Sequence, residues 1–279
     1  MSKTKTKRKR KTSKKKVRAD GRKVNEIRPT TIETGIIPNA DGSAYIEMGN
    51  NKIFAGVYGP KEMHPKRRSK PHMGVLRVRY HMAPFSVSPR RSPAPSRRDT
   101  EIGMVLVDAL SPALFLERYP RSVIDIYVEI IQADGGTRCA AVNAAAVALV
   151  DAGIPMKDLV ASCAAGKMNG KIVLDLGDTE DKEGEADVPL AYMPKLDQVT
   201  LLQMDGILTE KETVKAIEMA IEGSKQIYEI QREALKKKYG MTEEESEETV
   251  EESEETVEEA EEAPEEAPED APEEKEEEK

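Results

Sequence analysis

The distribution of apolar residues predicts an α+β fold, mixed sheets packed with helices, on three observations. Short β-branched segments bounded by turn residues dominate the middle of the chain. Two stretches with helical periodicity interrupt them, and one long amphipathic stretch follows the last strand. The order is strand, strand, helix, repeated with a final helix, which suits separate layers rather than a doubly wound parallel sheet.

Residues 31–37, 44–48 and 52–58 read as strands, with turns at Asn39, Ala40, Asp41 and Gly42 and at Gly49, Asn50 and Asn51. Over 75–82, Leu76, Val78 and Tyr80 alternate with Arg77, Arg79 and His81. That is a strand with one apolar and one cationic face. From about Asp99, Ile102, Val105, Leu106, Ala109 and Leu110 repeat with the period of a helix. Residues 123–131 form a further strand, and 137–151 a helix of small residues ended by Gly153 and Pro155. A second set begins with strands at 159–166 and 172–176, joined by a hairpin through Asn169 and Gly170. An acidic loop over 178–187 leads to strands at 187–193 and 198–204. A helix over 209–238 follows, with Thr209 and Glu212 at the spacing of a capping box.

Charge divides the 279 residues into three zones. Residues 1–18 hold eleven Lys and Arg and no acid, while 242–279 hold twenty-two Asp and Glu against two Lys. The core, 19–241, is neutral with 30 residues of each sign, so the net charge of −9 describes no single surface. Both ends lack the apolar content to offset ordering entropy and are expected to be disordered tails. The core is expected to divide into halves at 19–153 and 154–241. Cys139 and Cys163 stand outside any CxxC or Cys/His spacing, which argues against a disulfide framework or a structural zinc site. No stretch is apolar enough to span a bilayer, and the N-terminal run lacks the apolar region of a signal peptide. A cytoplasmic protein without a membrane partner is expected.

Three features carry chemistry. Residues 60–98 hold eleven Lys and Arg, among them Lys66, Arg67, Arg97 and Arg98, against the single acid Glu62. One-sign clustering inside a neutral core suits a phosphate backbone, or else an acidic subunit contact. The three histidines also fall here, without the spacing of a metal site. The second feature is Gly135, Gly136, Thr137 and Arg138 between a strand and the small-residue helix. Glycines permit close backbone approach, a helix N-terminus offers free N–H groups, and Arg138 adds a bidentate cation. The third is the acidic loop, where Asp181 and Asp187 flank Gly184. Two carboxylates beside a substrate phosphate suit Mg²⁺, although by itself this segment reads as a solvated loop.

These segments resemble a known family over residues 18–239. The matching strings are RADGR (18–22) with Arg28 and Pro29, ADGSA (40–44), VYGPKEMHP (57–65), LRVRYHMAPFS (76–86), PAPSRR (93–98) and QADGGTRCAAVNAA (132–145). They continue with DAGIPMKDL (151–159), LDL (174–176), EADVP (185–189) and QVTLLQMDG (198–206). In that order they resemble the ribonuclease PH-like phosphorolytic exoribonucleases, and among them the catalytic ring subunits of the archaeal exosome.

The resemblance implies the ribonuclease PH-like fold, a ribosomal protein S5 domain 2-like arrangement. It implies phosphate-dependent shortening of RNA from the 3′ end, releasing nucleoside diphosphates and reversible to untemplated tailing. Gly136, Thr137 and Arg138 fall on phosphate-binding positions, and Arg98 on the grip for phosphate and the terminal nucleotide. Asp181 and Asp187 fall on the catalytic carboxylates associated with Mg²⁺. Arg97 falls with the RNA contacts, and Lys66 with Arg67 in the pore loop, where Lys66 replaces an expected Arg and loses its planar fork. The implied partners are single-stranded RNA, RNA-binding cap subunits, and an inactive paralogue alternating in a hexameric ring. A non-catalytic ring subunit and a homohexameric ribonuclease PH that trims transfer RNA are the alternatives. Retention of the five charged and hydroxyl site residues weighs against the first, and the PKEMHP and RVRYHMAPFS strings against the second.

Overall fold

The structure, a computed structural model, describes residue 18 and residues 20–240. The expected tails lie outside the described residues apart from Arg18. Arg18 is a correction: it is not part of a solvated basic tail, because its side chain is fully buried and ion-paired to Glu180 at 2.7 Å. A guanidinium can be buried when carboxylate and carbonyl acceptors meet its donors, and Arg18 has both.

The described residues up to Leu235 form one unit; the second begins at Lys236 and shows only the last turn of the final helix. The chain runs β1 (Thr30–Thr34), β2 (Gly42–Met48), β3 (Asn51–Glu62), β4 (Val75–Met82), α1 (Arg97–Leu110), β5 (Ser122–Gln132) and α2 (Thr137–Asp151). It continues with β6 (Ala161–Met168), β7 (Lys171–Leu174), α3 (Asp178–Glu183), β8 (Ala186–Met193), β9 (Gln198–Leu202), β10 (Asp205–Gly206) and α4 (Glu210–Tyr239). One sheet has the order β1-β2-β3-β5-β4, antiparallel except for the parallel pair β4 and β5. The other has the order β10-β8-β6-β7, with β9 also paired to β8, and is antiparallel throughout.

Helix α2 packs against both sheets, on β2 and β3 from one side and on β6 and β8 from the other. Its sequence explains this position. Ala140, Ala141, Ala144, Ala145, Ala146 and Ala148 are fully buried, and small side chains let two sheets approach one helix. Polar groups lock the arrangement: the Asn143 amide donates to Ser162 O at 2.9 Å and accepts from Ser162 N at 2.7 Å. Gln231 of α4 donates to the carbonyls of Asn143 and Val160. Alternation along β8 then sets two faces. Val188, Leu190 and Tyr192 join Cys163 and Ala165 against Ala216 and Ala220 of α4. The opposite parity, which includes Asp187 and Ala191, belongs to the face that carries Ser162 and meets α2.

Several expected boundaries move. The first strand stops at Thr34, because Gly35 turns the chain at positive φ. Helix α1 begins two residues early, at Arg97, because Ser96 and Asp99 form a capping box. The acidic loop is a correction: Asp178–Glu183 is a helix, stabilised where the Glu180 carboxylate accepts the N–H of Gly177 at 3.2 Å. The strand expected over 198–204 ends at Leu202 as β9, and a separate two-residue β10 follows at Asp205–Gly206. The Asn169 and Gly170 hairpin has both central residues at positive φ, as a primed turn requires.

Asn143→Ala would strand the N–H and C=O of Ser162 in the interior. Denaturant unfolding should show a loss of about 2–5 kcal/mol, the scale of two unsatisfied buried groups. A loss below about 1 kcal/mol would mean that water replaces the amide there.

Candidate active site

The anion side of the site is built by the start of α2. Gly135 and Gly136 have φ of 72° and 65°, a left-handed pair that side chains adopt rarely. Space forbids a side chain as well: a Cβ on Gly135 would lie 2.6 Å from the backbone of Gly177 and Asp178. The loop is held from below by Asn51, whose amide donates to Gly135 O at 2.6 Å and accepts from Asp134 N at 2.6 Å. Gly136 caps α2 without a side chain, so the N–H groups of the first turn stay available to a ligand. Thr137 is buried, and its hydroxyl accepts from the Tyr80 hydroxyl at 3.0 Å. Arg98, at the exposed start of α1, lies within electrostatic range of the same Tyr80.

The acid side is built by β8, α3 and β10. Asp187 lies on the α2 face of β8, and Asp205 is its register partner on β10. Burial pushes the Asp187 carboxyl up to about 7; nearby Asp181 and Asp205 add to this, while Arg138 opposes it. Two polar atoms here are buried with no hydrogen-bond partner among the described residues, Arg138 Nε and Asp187 Oδ1. Buried charged groups normally find partners. The Arg138 Nε and the Asp187 carboxylate oxygen, near enough for their charges to influence each other, are free to take a polar ligand. Asp181, by contrast, is exposed on α3. Among the described residues no group of three or more His, Cys, Asp or Glu is arranged to hold a metal ion by itself.

Gly136, Thr137 and Arg138 thus share the start of α2. Asp181 and Asp187 lie within electrostatic range of each other, and Asp187 of Arg138. Arg98 lies within range of Tyr80, while Lys66 and Arg67 stand elsewhere. Those two form an exposed 3-10 turn, Lys66–Arg68, before β4. Val75 pairs with Val123 and Met82 with Ile130, so the strands β4 and β5 run the intervening distance, about 23 Å at ~3.3 Å per residue. Lys66 bonds Glu62 at 2.8 Å, while Arg67 has no ion pair among the described residues. The basic stretch 60–98 is also not one surface. Lys61 and Arg77 share Asp125, and Arg91 meets Asp99, so acids outside the cluster or within the helix cap neutralise part of it. Arg97, next to Arg98 at the start of α1, remains exposed.

Sequence reasoning missed Asn51, Tyr80 and Asp205 as site residues. Tyr80 was visible only as an apolar strand position, and Asn51 only as a turn residue. Asp205 lay in a quoted string, but nothing local shows which strand it pairs with. No helix among the described residues is long and apolar enough to cross a membrane.

A carboxyl with raised proton affinity destabilises the fold in its charged form. That cost is absent below the ordinary value of 3.8 and grows as pH rises toward about 7. In buffer free of phosphate and metal, Asp187→Asn should raise the thermal midpoint at about pH 8 and leave it unchanged near pH 4. Identical midpoints at both would show that the carboxyl is not held in a desolvated place.

Comparison with known proteins agrees with this geometry. The family model for the 3′ exoribonuclease family, domain 1, matches residues 26–155, and that for domain 2 matches residues 158–223. The chain is 59% identical over 222 residues to "Exosome complex component Rrp41" of Thermococcus onnurineus, covering 80% of this chain and 89% of that protein. It is 55% identical over 223 residues to the protein of the same name from Cenarchaeum symbiosum, covering 80% and 92%. Among solved structures, rice (Oryza sativa) Rrp46 superposes with a TM-score of 0.69 at 25% identity, covering 77% of this chain and 98% of that one. The Archaeoglobus fulgidus exosome with RNA bound to the active site shares the fold, with a TM-score of 0.67 at 23% identity over 76% and 91%. With both domain models matched in order across the core, the chain belongs to the 3′ exoribonuclease family.

Proposed function

We propose that this chain is the catalytic subunit of an exosome and removes RNA nucleotides from the 3′ end with inorganic phosphate as the attacking group. The observation that carries this reading is the pair of unpartnered buried atoms, Arg138 Nε and Asp187 Oδ1, at the open N-terminus of α2. An oxyanion satisfies the arginine and the first-turn N–H groups, and Thr137 offers a hydroxyl beside them.

In this reading a phosphate oxygen bonds to the terminal phosphorus as the bond to the 3′ oxygen of the preceding ribose breaks. The products are a nucleoside diphosphate and an RNA one residue shorter. Arg98 and Arg138 hold the charge that spreads over the transferring group. The departing 3′ oxygen takes up a proton, and Asp187, whose carboxyl is pushed up to about 7, is the group to supply it. The donor set fits Mg²⁺: it takes one or two carboxylates together with water and substrate phosphate, so the lack of a third protein ligand is no obstacle. Asp181 would hold it, joined by Asp187 once that carboxyl has given up its proton, and when bound it would neutralise charge on the transferring group. Because the diphosphate keeps a high-energy bond, excess diphosphate drives untemplated tail synthesis.

The relatives named as exosome components support placement in an exosome complex; on this reading the chain sits in a ring with RNA-binding caps and an inactive paralogue, in the cytoplasm. Leu202, Met204 and Ile207 support a protein neighbour at the β9–β10 edge. They are 51%, 55% and 85% exposed, close together beside the acid side of the site.

With 5′-labelled RNA, Mg²⁺ and phosphate, the released products should be nucleoside diphosphates. Monophosphates formed equally well without phosphate would overturn the phosphorolytic reading. A pair of variants separates chemistry from binding. Asp187→Asn should lower turnover about a hundredfold, the scale of a lost general acid, with RNA affinity held. Arg67→Ala should weaken RNA binding and reduce the salt slope by about one contact, with turnover at saturating RNA little changed. Wild-type cutting by Asp187→Asn would return the acidic segment to a purely structural role.

A further inference from the structure

The two halves of the site touch through their backbones, and a set of buried ion pairs sits behind that contact. Asp175, in the turn between β7 and α3, has φ of 53°, a left-handed conformation rare for a residue with a side chain. Its carboxylate accepts three bonds from Arg28: from the backbone N at 2.7 Å, from Nε at 2.9 Å and from Nη2 at 2.6 Å. The other arm of Arg28 reaches forward to the phosphate loop, with Nη1 donating to Asp134 O at 2.6 Å and to Gly135 O at 3.3 Å. Arg28 thus ties the Asp175 turn to the glycine pair that cradles the anion.

Arg18 works from the other side of the same turn. Its Nη2 donates to Asp175 O at 2.8 Å and its Nη1 to Leu174 O at 2.8 Å. Its Nε and Nη2 grip Glu180 in a bidentate fork at 2.9 and 2.7 Å. Glu180 is the residue before Asp181, and the same carboxylate accepts the N–H of Gly177 at the start of α3. Arg18 therefore fixes the short helix that carries Asp181. Arg22 adds a further bond to Asp175 O at 3.0 Å. No side chain intervenes where the halves meet, since Gly135 lies against Gly177 and Asp178.

We propose that Arg18 and Arg28 are positioning residues that, through the shared Asp175 turn, set the distance between the phosphate cradle and the carboxylate of Asp181. This rests on the phosphorolytic reading of the site. Neither arginine need touch RNA or phosphate for the effect. A six-residue helix and a glycine loop have little rigidity of their own, and a misplacement of ~1 Å can cost about a hundredfold in rate. Two planar forks, each bound on both sides, supply the rigidity. The roles divide by what each fork holds: Arg28 governs the anion cradle, and Arg18 governs the acid helix.

The test uses the full chain and two conservative variants, Arg28→Lys and Arg18→Lys, which keep the charge and lose the fork. Calorimetry with inorganic phosphate in the absence of RNA reads the cradle directly. Phosphorolysis at varied phosphate then separates kcat from KM. Arg28→Lys should weaken phosphate binding and raise the KM for phosphate about tenfold, with kcat nearly held. Arg18→Lys should lower kcat about tenfold or more and leave phosphate binding unchanged. Should Arg18→Lys fail to fold, Glu180→Gln loosens the same fork from the opposite partner and should give the same loss of kcat. Variants that melt earlier yet keep wild-type constants in their folded fraction would overturn the proposal, as would identical effects from both arginines. Wild-type chain that cleaves RNA without phosphate sinks the phosphorolytic reading itself. In that event the calorimetric arm still decides whether Arg28 holds an anion cradle.

Discussion

Burial of α2 on both sides is the constraint from which the rest of the structure follows. A helix in the middle of a sandwich has no solvated face, so its side chains must be small and apolar over almost its whole length. Its backbone polarity then has two outlets, the two ends. The C-terminal end is met by Gly153 and the packing around Ala152. The N-terminal end opens between the two sheets, where first-turn N–H groups and the helix dipole favour an anion. The same sandwich brings β8 alongside α2. Strand alternation then turns Asp187 toward Arg138. One packing decision accordingly yields both the cationic and the acidic sides of the site.

Electrostatics at this junction is arranged against stability. Asp187 is desolvated and stands near Asp181 and Asp205, all of which favour its neutral form. Arg138 opposes that shift without making a hydrogen bond through its Nε. Other buried charges are answered within the protein. Buried Arg18, Arg28 and Asp125 are all fully paired by charge and hydrogen bonds. An arginine nitrogen and a carboxylate oxygen left without partners at one helix end are what a substrate with charged oxygens would complete.

The cationic stretch 60–98 shows how topology redistributes a sequence signal. As a string it is a single patch of one sign. Folded, its members occupy a turn before β4, the cationic face of β4, and the start of α1 at the far end of that strand. Arg77 and Lys61 are answered by Asp125, which lies in a later strand. Only the α1 end joins the chemical centre. The Lys66–Arg68 turn stands apart from it, exposed at the other end of β4.

The sequence by itself determined most of the elements and the glycine turn at the start of α2, because these rest on local physics. Glycine at two successive positions, a threonine and an arginine at a helix start, alternation along β4 and the alanine run of α2 can each be read within about fifteen residues. Tertiary structure alone decided what stands behind and opposite the cradle. Asp205 faces Asp187 through strand register, Asn51 supports Gly135 across 84 positions, and Arg18 reaches Glu180 across 162. It also turned the acidic segment into a helix, since the Gly177 and Glu180 cap gains its worth only when Arg18 holds Glu180 in place. Pairings between distant positions carry no period, spacing or local propensity; they exist once packing has brought their strands together.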